Sequence, residues 1–268
     1  MAEESSVRVL ERACGVLDCF TTRRPRLQIA DIRRLTGLPA TTVARLVKTL
    51  VAQELLERDG NDYRLGLRVM VWGAPAAAAS DLLAVGGPVA EQIRDTTQET
   101  TGIYVRRGAT RVNVYVVLST LSVIYNGYVG QVMPLHAGAA GKVFMAYDGA
   151  ARDAALRAGL TPFTEHTPTD QATIDTQTTA ARSAGWVFAA EERESGLNSL
   201  AAPIFDANGT IAAAIAIGGP SSRLSAGAAS SFGPMLAAAG LAISRRLGFT
   251  ADQDGPTSAG TVLVDREA

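Results

Sequence analysis

The stretch GLPATTVARLVKTLVAQELLERDGNDYRLG, residues 37–66, decides how the first part of the chain folds. Its first half has apolar residues at the i, i+3, i+4, i+7 spacing that predicts one buried stripe of a helix. These residues are Val43, Leu46, Val47 and Leu50. Its second half predicts two short strands around a tip at residues 59–62. A helix with a basic outer side, followed at once by a small hairpin, is typical of a winged helix-turn-helix.

Two more helices are predicted before this one. Apolar residues at helical spacing predict an amphipathic helix over residues 7–20, followed by the loop TTRRPR, in which Pro25 acts as a breaker. A second, short helix should end at Gly37, because glycine readily adopts the left-handed conformation that closes a helix. Pro39 then suits the first turn of the third helix.

The outer side of the third helix is suited to the major groove of DNA. Small side chains let the helix approach the base edges closely, and an arginine can donate two hydrogen bonds to a guanine. The predicted contacts on this helix are Thr41, Thr42, Ala44, Arg45 and Lys48. The predicted phosphate contacts are Arg58 and Arg64 of the hairpin and Arg23, Arg24 and Arg26 of the preceding loop. The alternative is a small helical subdomain that binds no nucleic acid.

Charge is distributed unevenly along the chain. Residues 7–72 hold 12 Lys and Arg against 7 Asp and Glu, whereas residues 73–268 hold 13 against 17. The first part therefore has a net charge of +5 and the second a net charge of −4. A basic small part beside an acidic large one fits a nucleic-acid-binding end joined to a different domain. A chance distribution over a solvated surface is the other interpretation.

Length and composition set further bounds. A chain of 268 residues can form two domains. Its first six residues lack the apolar core of a signal peptide, and no apolar run is expected to reach the roughly 20 residues of a membrane span. Cys14 and Cys19 fit neither a C-x-x-C motif nor a disulfide framework. These features predict a cytoplasmic protein without a membrane partner.

The rest of the chain predicts a linker and an α+β domain. A linking helix is expected over residues 67–79, and Pro75 leaves open whether it continues as one kinked helix or gives way to a second helix over about 81–101. Strands are predicted at GIYVRRG, RVNVYVVLS, VIYNGYVGQVMPL and around the turn DANG, and helices at AAGKVFMAY, TIDTQTTAARSAGW and residues 226–247. This order favours a mostly antiparallel sheet flanked by helices.

Both parts of the chain resemble the IclR family of transcriptional regulators. The likeness is carried by VLDCF, RLTGLPATTVARLVKTLVAQELLERDGNDYRLG, RVMVWG, MPLHAGAAGKVFMAY, AGWVFAAEERESGLNSLAAPIFDANGTI and GGPSSRLS. It implies a winged helix-turn-helix domain with a helical linker over residues 1–78 and a GAF-like effector-binding and oligomerisation domain over 79–249. It also implies a homodimer or a dimer of dimers. Residues 250–268 lack periodicity and are expected to be a disordered tail.

The resemblance also implies an effector site around HAGAAGKV. Backbone N–H groups at a helix start favour a carboxylate, and the family's use of this loop places the N–H groups of Ala139 and Ala140 at the ligand. The alternative is that the glycines merely allow a tight turn. Sugar-acid and keto-acid binders of the family carry an Asp, a Cys and two Ser at four pocket positions. This chain has Ala189, Ser199, Ala216 and Gly218 there.

The loss of these polar groups predicts a more apolar pocket. Burying the hydroxyl groups of a polar ligand unpaired costs about 1–3 kcal/mol each. The candidate lining residues are Tyr125, Tyr128 and Met133, with Tyr104, Tyr115 and Phe144 as further candidates. An aromatic acid, or an amide or hydrazide derived from one, is expected to fit better than glyoxylate or pyruvate.

No catalytic or metal-binding motif is found in the sequence. The P-loop spacing fails at His136 and Val143, no G-x-S-x-G is present, and neither His136 nor His166 has a second ligand at metal spacing. We therefore predict no enzyme, cofactor or metal. The predicted function is a regulator, more a repressor than an activator, that binds a double-stranded DNA operator under control of a small effector. The alternatives are a ligand sensor with weak or architectural DNA binding and, third, a hydrolase of acid derivatives.

Overall fold

A computed structural model describes residues 8–22 and 24–250. The chain divides into two compact units, Met1–Ser80 and Asp81–Ala268. Of the tail expected from residue 250 onward, only Thr250 is among the described residues. Arg23, a predicted phosphate contact, also lies outside them.

The first unit contains the predicted winged helix-turn-helix. Its elements are α1 (Arg8–Leu17), α2 (Ile29–Thr36), α3 (Ala40–Ala52), the antiparallel strands β1 (Leu56–Asp59) and β2 (Asp62–Leu65), and α4 (Leu67–Ala78). Gly37 closes α2 with φ 67°, as predicted, whereas Pro39 is the N-cap of α3 and lies just before its first turn. One apolar core joins the three helices to the wing through Val16, Ile32, Val43 and Leu56, each at most 1% exposed.

The helix α4 differs from the other helices of this unit because none of its residues is buried. Met70 is 73% exposed and Trp72 is 56% exposed. Pro75 lies inside α4 without ending it, and the next helix, α5 (Asp81–Thr97), begins separately. Of the two alternatives that the proline left open, the structure therefore has two helices.

The second unit is an α+β domain around a six-stranded antiparallel sheet, which confirms the predicted fold class. The sheet order is β5-β4-β3-β8-β7-β6. Its strands are β3 (Thr100–Arg107), β4 (Thr110–Val117), β5 (Val132–Pro134), β6 (Val187–Ala190), β7 (Leu197–Phe205) and β8 (Ile211–Pro220). The remaining helices are α6 (Ala139–Tyr147), α7 (Gly149–Ala158), α8 (Gln171–Ala184) and α9 (Ala226–Arg246).

Each face of this sheet carries a core of its own. One core contains residues of α6, α7 and α8, and the other contains residues of α5 and α9. The start of α6 comes very close to the segment before it, because a Cβ built on Gly141 would lie 2.0 Å from the carbonyl oxygen of Leu135. Glycine at position 141 therefore sets how closely the loop before α6 can fold back on the helix.

Two expectations about this unit were wrong, and one of its helices was missed. The run VIYNGYVGQVMPL forms a strand only at Val132–Pro134, and the residues before it make a loop that turns at Gly130 with φ 84°. The helix α5 ends at Thr97, well before the expected residue 101, because Thr100 and Thr101 pair with β8. The helix α7 was not predicted.

The helix α9 also corrects an expectation. It has 21 residues, and the mean hydropathy of its most apolar stretch is 1.4, so by length and composition alone it could cross a membrane. In the structure it packs on the sheet, with Leu236 and Ile243 fully buried. A Cβ at Gly240 would lie 2.3 Å from the carbonyl oxygen of Pro203, so this glycine lets α9 lie directly on β7. One side of α9 therefore packs on the sheet, and 28% of its most apolar stretch is buried.

Candidate nucleic-acid interface and effector cavity

The outer face of α3 is exposed as the sequence predicts. Val43, Leu46, Val47 and Leu50 turn inward and are at most 6% exposed. Thr41, Ala44, Arg45 and Lys48 lie on the exposed side, and Thr42 is half-buried. A helix with small and basic residues on its free side can enter a major groove and present Arg45 to base edges.

The wing and the loop before α2 lie side by side. Leu27 and Tyr63 exchange two backbone hydrogen bonds of 3.0 and 2.8 Å, which fixes the loop beside β2. The guanidinium of Arg26 lies 2.6 Å from Asp59 at the wing tip, and that of Arg64 lies 2.8 Å from Glu57. The structure thus brings together two groups of basic residues that the sequence placed on separate segments.

Arg58 differs from these two arginines in its partner. Its Nε donates to the carbonyl oxygen of Gly60 at 2.9 Å, and no carboxylate pairs with it among the described residues. Arg24 is exposed near the start of the same loop and bridges to Thr21 through its backbone. Arg58 therefore carries a positive charge that no carboxylate offsets at the wing.

A cavity in the second unit lies at the start of α6. The empty space there, counted together with open solvent at its mouth, amounts to about 460 Å³. Most of the predicted effector contacts line it: Tyr125, Met133, Ala139, Ala140, Ala189, Ser199, Ala216 and Gly218. Tyr128 does not line it, and of the further candidates Tyr104 does.

Side chains of the protein already accept hydrogen bonds from N–H groups at the start of α6, where the ligand was expected to bind. The N–H of Ala139 donates to Ser199 Oγ at 3.1 Å, and the N–H of Gly138 donates to Glu192 Oε2 at 2.9 Å. The space at Gly218 is also filled, because a Cβ there would lie 2.8 Å from the ring of Tyr125. The N–H of Ala139 and the space at Gly218 are therefore already occupied by protein groups.

A buried ion pair stabilises the loop at the cavity. Lys142 is fully buried and its Nζ pairs with Glu192, which is 5% exposed. Burial lowers the pKa of Lys142, and the carboxylate of Glu192 opposes that shift. Since Glu192 also accepts the N–H of Gly138, one carboxylate joins the loop after β6 to the start of α6.

Two cationic residues of the cavity were missed from the sequence. Arg111 on β4 is only 4% exposed, and its guanidinium donates to the carbonyl oxygens of Pro134 and Ala137. Arg193 lies 5.3 Å above the ring of Tyr125. A signal was present for the first, because Arg111 and Asn113 alternate with valines along β4, which places two polar side chains on one side of the strand.

The electrostatic environment of Arg111 is unusual for a buried side chain. Burial lowers the pKa of Arg111 to about 10, so it stays protonated at neutral pH. Its guanidinium carbon lies 5.9 Å from the ring of Tyr104, whose pKa burial raises. The cavity therefore combines aromatic rings with a buried positive charge.

Comparison with known proteins relates both units to one family. The sequence profile of the IclR helix-turn-helix domain matches residues 9–60, and that of the bacterial transcriptional regulator IclR C-terminal domain matches residues 75–245. The HTH-type transcriptional repressor AllR of Escherichia coli K12 is 31% identical over 226 residues, which cover 82% of this chain and 83% of that protein.

Solved structures show the same relationship. A putative IclR regulator from Silicibacter sp. TM1040 is 28% identical and superposes with a TM-score of 0.82, covering 93% of this chain and all of that one. An IclR homologue from Microbacterium hydrocarbonoxydans, complexed with 4-hydroxybenzoate, is 26% identical with a TM-score of 0.76, covering 89% of this chain and 98% of that one. AllR is a transcriptional repressor, and the matching C-terminal profile is that of a bacterial transcriptional regulator. Because the C-terminal profile alone covers more than half of the sequence, this chain belongs to the IclR family of bacterial transcriptional regulators.

Proposed function

We propose that this protein is a repressor that binds a double-stranded DNA operator in the bacterial cytoplasm and is controlled by an aromatic acid or a derivative of one. The observation that carries the DNA-binding part is the free face of α3, where Thr41, Ala44 and Arg45 lie opposite a fully buried stripe. The related AllR is a transcriptional repressor, which supports the sign of regulation.

The lining of the cavity supports an aromatic ligand. Tyr104 and Tyr125 contribute aromatic side chains to its lining, and Ala189 and Ala216 contribute small apolar ones. A flat ligand gains about 25 cal/mol for each Å² of apolar surface that it buries there. An IclR homologue complexed with 4-hydroxybenzoate supports an aromatic acid as the class of ligand.

The uncovered helix α4 supports assembly into a homodimer or a dimer of dimers. Leu67, Met70, Val71 and Trp72 are all exposed, and an apolar helix without a buried face needs a covering partner. A second copy is the occupant we propose, since two copies also present two recognition helices to the half-sites of an operator.

Sedimentation of the full chain at micromolar concentration tests this assembly. We expect a dimer or tetramer for the natural protein and dissociation for Met70→Glu. The control is Arg33→Glu, which places a glutamate on an exposed polar site of α2 in the first unit and should leave the assembly intact. A monomeric natural protein would contradict the proposal.

Footprinting of the full chain on the DNA upstream of the neighbouring genes tests the regulatory function. We expect one protected site whose occupancy falls when an aromatic acid handled by those genes is added. Weak and uniform binding to all DNA would favour the ligand sensor without a regulated promoter. Release of a product from a bound amide or hydrazide would instead favour the hydrolase.

A further inference from the structure

We propose that the effector is an anion, and that Arg111 holds its negative charge with Arg193 as a second cation at the same cavity. This inference rests on the proposed function, since it takes the cavity of the second unit as the effector site. It narrows the class of ligand from aromatic acids and their neutral derivatives to the acids alone. It also assigns the anion to two side chains, where the sequence pointed to the N–H groups of Ala139 and Ala140.

The first support is the missing counter-ion of Arg111. Its side chain is almost fully buried, yet within residues 8–22 and 24–250 no carboxylate lies within 4 Å of its guanidinium. The neighbouring carboxylate, Glu192, already pairs with Lys142 and accepts the N–H of Gly138. Burying an unpaired charge is costly, so an anion that enters the cavity gains the attraction that the protein leaves unused.

The second support is the hydrogen bonding of the same guanidinium. Its two Nη atoms donate to the neutral carbonyl oxygens of Pro134 and Ala137, which satisfy hydrogen bonds without offsetting charge. Its Nε is buried and has no partner among the described residues. A purely structural role for Arg111 accounts for the carbonyl contacts but not for the unused donor or the uncompensated charge.

The third support is Arg193, which lines the same cavity. Its side chain is 18% exposed and stacks over Tyr125, so it is held in place by the ring. Its only ion-pair partner among the described residues is Glu194, at 4.0 Å and 61% exposed. A contact of that length to an exposed carboxylate is weak, so the charge of Arg193 is also available to a ligand.

The local charge balance follows from these contacts. Arg111, Arg193 and Lys142 are cationic, and Glu192 is the one carboxylate that also lines the cavity. Aromatic rings beside such a cationic site favour a ligand with an apolar body and a single carboxylate head. An amide or a hydrazide of the same shape offers no charge to Arg111.

Calorimetry with acid–amide pairs tests the inference on the full chain. The probes are benzoate and benzamide, 4-hydroxybenzoate and 4-hydroxybenzamide, and phenylacetate and phenylacetamide, at pH 7.5. We expect at least one acid to bind at least about tenfold more tightly than its own amide, the factor that a single charge-assisted hydrogen bond supplies. Equal or tighter binding of the amide in every pair, or no binding of any acid, would overturn the inference.

Three variants show whether the preference comes from these arginines. Arg111→Gln should bring the acid-to-amide ratio of affinities to about one, whereas Arg111→Lys keeps the charge and should keep a ratio above one. Arg157→Gln, which removes an exposed arginine from α7 in the same unit, should leave the ratio unchanged. This ratio is insensitive to a general loss of packing, because acid and amide have the same shape.

A fourth variant covers the case in which Arg111→Gln does not fold. Arg193 makes no backbone contact that the loop before α6 depends on, so Arg193→Gln should fold and should lower the ratio several-fold. An unchanged ratio in this variant and in any folded Arg111→Gln would overturn the assignment. Retention of a promoter fragment is measured on the same samples. For the natural protein, a ratio of one together with specific DNA binding would contradict only this inference, whereas the absence of any specific DNA binding would contradict the proposed function.

Discussion

Arg64 and Glu57 are directly opposed on the two strands of the wing, and the guanidinium Nη2 lies 2.8 Å from the carboxylate Oε2. Arg26 and Asp59 make a similar pair at 2.6 Å. All four side chains are about half exposed, so each pair contributes only about 0–1 kcal/mol. DNA phosphates can therefore take the place of Glu57 and Asp59 as partners of the two arginines. Each displaced carboxylate then lies close to the negatively charged DNA backbone.

This pairing predicts that the arginines of the wing differ in how much each contributes to DNA affinity. Arg58→Gln should weaken binding to all DNA about equally and flatten the slope of log K against log salt by about 0.9, because this arginine has no carboxylate to displace. Glu57→Gln should instead strengthen binding, since it releases Arg64. Salt titration of fluorescence anisotropy measures both effects, with Arg157→Gln of the second unit as control. Unchanged slopes for the Gln variants of all five arginines, at positions 23, 24, 26, 58 and 64, would remove the wing and the adjoining loop from the interface.

Arg45 is expected to recognise a base. Arg45→Ala should cost about 1–3 kcal/mol on the operator and relax the sequence preference, because a bidentate contact to guanine distinguishes that base from the others. The measurement is competition between the operator and a random fragment of equal length. A loss of the same size on both fragments would make Arg45 a phosphate contact instead.

The first unit was the easier part to predict because its signals are local. The stripe from Val43 to Leu50 fixes which side of α3 is buried, and Gly37 fixes where α2 ends. The sequence alone does not predict the ion pair between Arg26 and Asp59, because this pair depends on the loop folding back along β2. The sequence therefore predicted which residues of the first unit are basic, but not which carboxylates pair with them.

The cavity was predictable in position but not in polarity. The resemblance located Ala189, Ser199 and Ala216, all of which line it. Arg111 lies on a strand remote in sequence from those blocks, and only the pairing of β4 with β3 and β5 brings it to them. The apolar pocket inferred from missing polar residues therefore overlooked polar residues that other strands contribute.

A new carboxylate in the cavity should oppose binding of an acid. Ala189→Asp places a charge in the cavity wall that competes with the ligand for the cations and must itself be desolvated. We expect weaker binding of benzoate or 4-hydroxybenzoate, measured by calorimetry on the full chain. Ala189→Ser is the matched control, because it adds a polar atom without charge and should have the smaller effect. Equal affinity in both variants would mean that the ligand lies away from position 189.

The buried pair of Lys142 and Glu192 should matter for stability. Lys142→Met leaves the carboxylate buried and unpaired and should lower the free energy of unfolding by about 3–5 kcal/mol. The double variant Lys142→Met/Glu192→Gln should recover part of that loss, since no buried charge is left over. Urea unfolding of the three proteins measures both effects. A single variant as stable as the natural protein would contradict this role of the ion pair.

The exposed helix α4 limits how this protein can be dissected. A fragment that ends at Ser80 keeps Leu67, Met70, Val71 and Trp72 in water, with no part of its own fold to cover them. Such a fragment is prone to non-specific association through α4, even if its recognition helix α3 is intact. Its failure to bind an operator would therefore report on solubility and not on base recognition. A shorter piece that stops at residue 66 retains the α1–α3 core and the wing, and it is the better material for measuring contacts to the bases one copy at a time.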